Sequence, residues 1–497
     1  MRALQDMRIA RDHAPAHDQD AAAIQSLRQS FERQQRAFLA QPYPSLQERQ
    51  AQLGALAGMM MQNRQRIRKA LSDDFAVHPE LFTDLIEILG VAGRAGYALT
   101  QLESWMRDEE RFADPAVFGT AKAFIRYQPK GVIGNIVPWN FPFDIGVGPL
   151  VEMLAAGNRV IVKPSDYAPA CAELLSEMLR ATFDPQQVTA AVGGMELART
   201  FSTLPWNHLL YTGSPAIGRE IMRAAAQNLV PVTLELGGKC PAVVLDDALD
   251  ATTVSSILGT KLVKNGQMCI SVDYCFVPRK RVPEFIALAQ RHMRERVPGY
   301  SRSADCCGII TVRHMERLLA LLQEARDSGA EIVELEEGAT ADRKTRRMPL
   351  SLVIDPSDRS QLMKEEIFGP ILPIKPYDSV EEVIAYVNAG ERPLGLYVFG
   401  RDISEAERVL VQTTSGGACI NACAAQSALP SMGFGGTGMS GMGRHHGVEG
   451  FREFSNPRGV FVRGQQDLVD AFFPPYGATL AAITGAAFGP GDTPSAE

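Results

Sequence analysis

A thiol and a carboxylate, each set in its own glycine-bearing turn, are the residues best equipped for covalent chemistry here. Cys269 closes Gly266-Gln267-Met268-Cys269, and Glu235 opens Glu235-Leu236-Gly237-Gly238-Lys239. A cysteine nucleophile needs an approachable thiolate, and a neighbouring glycine lets backbone amides come close to whatever it attacks. A carboxylate in a separate turn can activate the water that releases a product. Each has a bland reading as well. Cysteine is commonly buried as a small hydrophobe, and a Glu at a strand end can be satisfied by backbone amides.

Five further motifs surround this pair. Pro138-Trp139-Asn140-Phe141-Pro142 offers a neutral amide donor, or simply a proline-bounded turn with Asn as its cap. Val162-Lys163-Pro164-Ser165-Asp166 ends an apolar run. Tyr211-Thr212-Gly213-Ser214-Pro215-Ala216-Ile217-Gly218 is a glycine turn opening a helix, where amides can meet a phosphate, although its spacing is not GxGxxG. Glu365-Glu366-Ile367-Phe368-Gly369-Pro370 closes a helical segment, and Gly433-Phe434-Gly435-Gly436 begins a glycine-rich stretch. His445 and His446 pair with no nucleophile and read as structural or surface-facing.

The elements that must position these residues follow from hydrophobic period. Residues 20–110 carry apolar positions three or four apart, which predicts helices. Phe112 to Tyr127 is extended and turn-rich, as a hairpin would be. Short apolar runs then alternate with helical segments: Gly131–Val137, Arg159–Val162, His208–Tyr211, Pro231–Leu236 and Ala242–Leu245. This alternation predicts an α/β fold, a mostly parallel sheet covered on both faces, with ligands bound beyond the carboxyl ends of the strands. Asn140, Lys163, Gly213 and Glu235 would all sit there. A second alternating region has candidate strands at Tyr274–Val277, Ser351–Ile354, Ile371–Ile374 and Leu396–Phe399.

Composition narrows the function classes. At 497 residues the chain should fold as two or three domains, and a net charge of −7 gives no electrostatic case for nucleic acid. The basic run Arg343–Arg347 follows an acidic one, Glu331 to Glu337, and the two read as a solvated loop. Eight cysteines without a CxxC pair make neither a disulfide scaffold nor a zinc site, so no metal is expected. They fit a reducing compartment, and Met1 to Asp20 has no signal-peptide core, so a cytoplasmic enzyme is expected. The apolar stretch Ala478 to Phe488 is shorter than the about 20 residues that a membrane-spanning helix needs.

The seven motifs, in this chain order, resemble the aldehyde dehydrogenase superfamily over residues 100–460. The resemblance implies a Rossmann-type cofactor domain (residues 1–110 and 130–236) and an α/β catalytic domain (237–430). It also implies an oligomerisation β-extension (111–129 and 456–470), a glycine-rich return (431–455) and a tail (471–497). It makes Cys269 the nucleophile, Glu235 the general base and Asn140 an oxyanion donor. To a nicotinamide cofactor it assigns Lys163, Ser165, Asp166, Gly213, Ser214, Gly218, Gly237, Glu366 and Phe368. Asp166 stands where NAD-preferring relatives usually carry Glu, which favours NAD and leaves NADP use open. Glu235 argues for hydrolysis to a free acid rather than acyl transfer to coenzyme A. Phe141, Ile145, Gly148 and Phe434 are the implied substrate residues. Several relatives carry a bulky aromatic at Gly148, so a wide tunnel is expected. The pattern is similar to a class-3-like branch, and within it to coniferyl aldehyde dehydrogenases. Coniferaldehyde or a similar aromatic aldehyde is therefore the expected substrate, a medium- or long-chain fatty aldehyde the alternative, and a homodimer the expected assembly.

Overall fold

The computed structural model describes residues 17–488. By internal contacts the chain divides into two units, one running to Leu102 and resuming over Pro129–Phe454, the other formed by Glu103–Gln128 and the chain from Ser455 onward.

The larger unit holds two sheets. Six strands lie in the order Gly441–Met442, Val232–Leu236, His208–Gly213, Val132–Ile136, Arg159–Lys163 and Val188–Ala190. All pairs are parallel except the first. The Val132–Ile136 and Arg159–Lys163 strands are buried throughout, as strands covered on both faces must be. Val132–Ile136 pairs with Arg159–Lys163 on one side and His208–Gly213 on the other, so the strand order reverses there. Such a reversal opens a crevice beyond the strand ends. Leu27 and Phe31 of the first helix join Phe201, Trp206, Leu209 and Leu234 in the core on this sheet.

Seven strands form the other sheet, in the order Glu331–Glu334, Ser351–Ile354, Ile371–Tyr377, Tyr274–Pro278, Pro241–Val244, Gly395–Phe399 and Gly417–Ile420. The run expected at Ala242–Leu245 belongs here, not to the first sheet. Val188–Ala190, Glu331–Glu334 and Gly417–Ile420 are strands that the apolar pattern missed, because each is short and sits at a sheet edge. The acidic run read as a loop thus begins as an edge strand, antiparallel to Ser351–Ile354, with Ile332 packed on the core.

Helices occupy most of residues 17–105, as expected, with an eight-residue π-helical segment at Thr83–Gly90. In the smaller unit Glu109–Arg111 pairs antiparallel with Lys122–Pro129, and Ser455–Val462 completes a three-stranded sheet. The hairpin therefore starts three residues before Phe112, and its connection holds a short helix, Pro115–Phe118, capped by Asp114. The helix Ala478–Phe488 has no buried residue, and no described helix is long and apolar enough to cross a membrane. Of the segments singled out at the termini, residues 1–16 and 489–497 lie outside the described residues.

Candidate active site

Asn140 follows the Val132–Ile136 strand and is buried, its Nδ2 donating to the Gln267 carbonyl at 3.3 Å. The helix Asp144–Ala155 begins just beyond it. Free amides at a helix start need acceptors. Here Glu87, on the π-helical segment, accepts from the Phe143 and Asp144 amides at 3.0 and 2.8 Å. Lys264 Nζ reaches the same carboxylate at 2.8 Å and also donates to the Asn140 carbonyl. Both side chains of this ion pair are wholly buried, with the ammonium 4.3 Å from the centre of the Phe141 ring.

The cysteine loop is equally fixed. Lys264, Asn265 and Gly266 have φ of 47°, 54° and 80°. A Cβ on Gly266 would fall 2.2 Å from the Gly369 carbonyl oxygen, so only glycine fits that turn. Gln267 is buried and bonded to the Lys264 and Gly308 carbonyls (2.8 and 3.0 Å) and to the Ile310 amide (2.9 Å). Cys269 is half-buried, whereas Cys171, Cys240, Cys275, Cys306 and Cys307 are buried. Cys419 and Cys423 are half-buried, because they pack only on the margin of the core cluster. Burial first, then the Glu366 and Glu235 carboxylates, push the Cys269 thiol up, while the amides of Cys269 and Ile270 act in the opposite sense.

Glu235 lies within the Val232–Leu236 strand and is buried. Neither carboxyl oxygen has a partner among the described residues, and burial holds the group well above its ordinary range against the pull of Arg444. Glu366 is half-buried and pushed up to about 8, by burial and then Asp273, against the Gly238 amide, Lys239 and Arg317. A Cβ on Gly237 would land 1.9 Å from Glu366 Oε2, so the glycine makes room for that carboxylate. Phe368 has φ of 54° and sets its ring edge-on to Trp139, centroids 5.4 Å apart.

At the strand ends, buried Lys163 donates to the Pro164 carbonyl at 3.0 Å and stands 4.0 Å from the exposed Asp166 carboxylate. Ser165 Oγ accepts from the Tyr167 amide at 3.2 Å. Ser214 caps the helix Pro215–Ala226, and Gly218 lies against Leu236. Gly213 crowds the Tyr211 hydroxyl, 2.2 Å from its would-be Cβ. Beside them Thr212 Oγ1 and Glu366 Oε1 are buried without partners among the described residues. A helix N-terminus, a buried ammonium and two unspent polar groups suit a ligand carrying phosphate and hydroxyls. Among the described residues no three His, Cys, Asp or Glu side chains converge as metal ligands.

Phe141 is buried, Ile145 half-buried, and Phe434 packs on the same core cluster as Met268 and Cys269. Gly148 corrects an expectation. Its side is not open, because a Cβ there would lie 2.9 Å from Arg94 Nη1. Arg94 pairs with buried Glu152 and donates to His446 Nε2 at 3.0 Å and His445 Nδ1 at 3.2 Å. His445 is buried and His446 half-buried, so neither faces solvent freely; the Arg94 contact holds both inward. Glu87, Lys264, Arg94 and Asp144 went unnoticed in the sequence. The one signal was Lys264, a charge directly after the apolar Leu262-Val263 at the end of a helix.

The sequence model of the aldehyde dehydrogenase family matches residues 12–460. A probable coniferyl aldehyde dehydrogenase of Pseudomonas aeruginosa is 40% identical, covering 93% of this chain and 96% of that protein. Aldehyde dehydrogenase family 3 member B1 of Rattus norvegicus is 33% identical, over 91% of this chain and 95% of its own. A substrate-bound structure of Staphylococcus aureus AldH superposes with a TM-score of 0.87 at 30% identity, over 93% of this chain and 99% of that one. Sequence, fold and the grouping of thiol, amide and carboxylates agree: the chain belongs to the aldehyde dehydrogenase family, whose members oxidise aldehydes.

Proposed function

We propose that this enzyme oxidises an aromatic aldehyde, coniferaldehyde or a close analogue, to its carboxylic acid through a thiohemiacetal and thioester on Cys269. The observation that carries the reading is the placement of one half-buried thiol between the Asn140 loop and a buried, unpartnered carboxylate. The Cys269 thiolate attacks the aldehyde carbon, and the oxyanion accepts hydrogen bonds from Asn140 Nδ2 and the Cys269 amide. Lys163, Ser165, Asp166, Gly213, Ser214, Gly218, Gly237, Glu366 and Phe368 would hold an oxidised nicotinamide dinucleotide, which would supply the hydride acceptor for oxidation of the thiohemiacetal to a thioester. Glu235 then takes a proton from the attacking water, and the acid leaves.

The exposed Asp166 carboxylate beside Lys163 disfavours a second phosphate on the ribose, which supports NAD over NADP. A relative with a solved structure, from Mycobacterium tuberculosis, is complexed with NAD+. The six-stranded sheet carries the cofactor and the seven-stranded one the thiol loop, a division near residue 237. The enzyme works as a homodimer in the cytoplasm, where its eight free cysteines stay reduced.

Names of similar proteins support the aromatic reading. Leu81, Leu85 and Leu89, exposed on and beside the π-helical segment, favour the second one, a medium- or long-chain fatty aldehyde. The test is NADH formation with coniferaldehyde and with decanal, read as kcat/KM. Preference for coniferaldehyde is expected; preference for decanal would transfer the enzyme to fatty-aldehyde oxidation.

A further inference from the structure

Asp144 has a setting that the reaction does not use. The residue is half-buried, and its carboxyl group accepts no hydrogen bond from the described chain. It opens the helix that follows Asn140, and its Oδ1 lies 3.8 Å from the Cβ position of Gly148, one turn on. Because residue 148 has no side chain, the Arg94 guanidinium fills that space and stands behind the carboxyl. Arg94 in turn donates to His446 Nε2, which puts the imidazole proton on Nδ1, and that atom is buried without a partner. Two unspent polar groups therefore flank one guanidinium.

Phe434 links this cluster to the reacting groups. Its ring contacts His446 at 5.7 Å between centroids, and it packs against the same core cluster as Met268 and Cys269 do. The adjoining Gly435 lies against Glu235, whose Oε1 is 3.0 Å from the would-be Cβ. A carbonyl at Asn140 would thus begin a path along the start of the Asp144–Ala155 helix.

We propose that Asp144, backed by Arg94 and His446, anchors the ring hydroxyl of a phenolic aldehyde. The inference rests on the aromatic-aldehyde reading above and names the feature selected within it. A phenol donates to the carboxylate, whereas an alkyl chain or an unsubstituted ring strips water from it and returns nothing. Burial and Glu87 push Asp144 up to about 7, with Arg94 and Lys264 opposing, so the group can accept or donate near neutrality. The half-buried Ile145 and buried Phe141 supply apolar surroundings in which such a bond counts.

The test compares kcat/KM for coniferaldehyde, for its analogue lacking only the ring hydroxyl, and for decanal. Wild-type enzyme should prefer coniferaldehyde over the analogue by about tenfold or more, mainly through KM. Asp144→Leu should shrink that ratio to about twofold or less, and Asp144→Asn should recover part of it. Equal kcat/KM for the two phenylpropenals in the wild type would overturn the anchor while leaving aromatic oxidation intact. An undiminished ratio in Asp144→Leu would also overturn it. Turnover of decanal alone would remove the aromatic reading and the anchor together.

Discussion

At the scale of single residues, the division of labour between Cys269 and Glu235 makes a sharp prediction. Among the described residues Glu235 has no hydrogen-bond partner to lose, so Glu235→Gln should cost little stability. On the proposed mechanism it removes the base for the second half-reaction only. Rapid-mixing measurements should show one equivalent of NADH per site in a burst, followed by turnover at least about 100-fold slower. Full steady-state activity in Glu235→Gln would assign the base elsewhere. The Gly148 position behaves differently from its sequence reading. A Trp there looks able to bar bulky aldehydes selectively, but it would unseat Arg94 and strand buried Glu152. Breaking a buried pair costs about 3–5 kcal/mol. Gly148→Trp should therefore lower turnover of short and bulky aldehydes alike and lower the unfolding midpoint.

Among the elements, the Glu87–Lys264 pair joins three segments distant in sequence: the π-helical segment, the start of the Asp144–Ala155 helix and the thiol loop. Lys264→Met leaves Glu87 charged and unpaired in the interior, a loss of about 3–5 kcal/mol. The double variant Glu87→Gln with Lys264→Met should be less destabilised than the sum of the singles, measured by denaturant unfolding. Since Lys264 also holds the Asn140 carbonyl, kcat should fall in Lys264→Met by about tenfold or more. Equal stability of Lys264→Met and wild type would show the pair to be dispensable. Period and apolar runs made most strands readable, yet not these joints, because a lone Lys or Glu in a helix gives no sign of its partner.

For the whole molecule, four carboxyl groups are held above their ordinary range, chiefly by burial: Asp144 at about 7, Glu366 at about 8, and Glu235 and Glu152 higher than usual. A raised carboxyl pKa means the folded state keeps its proton where the unfolded chain has lost it. Stability from these groups is full below about pH 4 and is lost as pH rises toward 8. The cofactor-free enzyme should accordingly show a falling Tm between pH 6 and 8.5 in calorimetry, with Glu366→Gln flattening the slope. A Tm that rises over this range would contradict the burial-driven shifts. In the smaller unit, Ser455–Val462 ends the three-stranded sheet with Phe461 and Val462 about half exposed. An uncovered apolar edge invites a second copy. Sedimentation should give a dimer, and Phe461→Asp should shift it toward monomer.

From its sequence alone this chain declared its family, its α/β class and the residues able to act as nucleophile, base and amide donor. The class follows from glycine placement and hydrophobic period, whereas the family and the roles expected of those residues come from the resemblance carried by the motifs in their order. Its tertiary structure decided which groups stand unpartnered, as Glu235 and Asp144 do, and which are neutralised, as Lys264 and Glu152 are. It also filled the space at Gly148 with Arg94, reached from a helix some fifty residues earlier. Burial and charge pairing are sums over neighbours from remote segments, and no stretch of sequence carries them by itself.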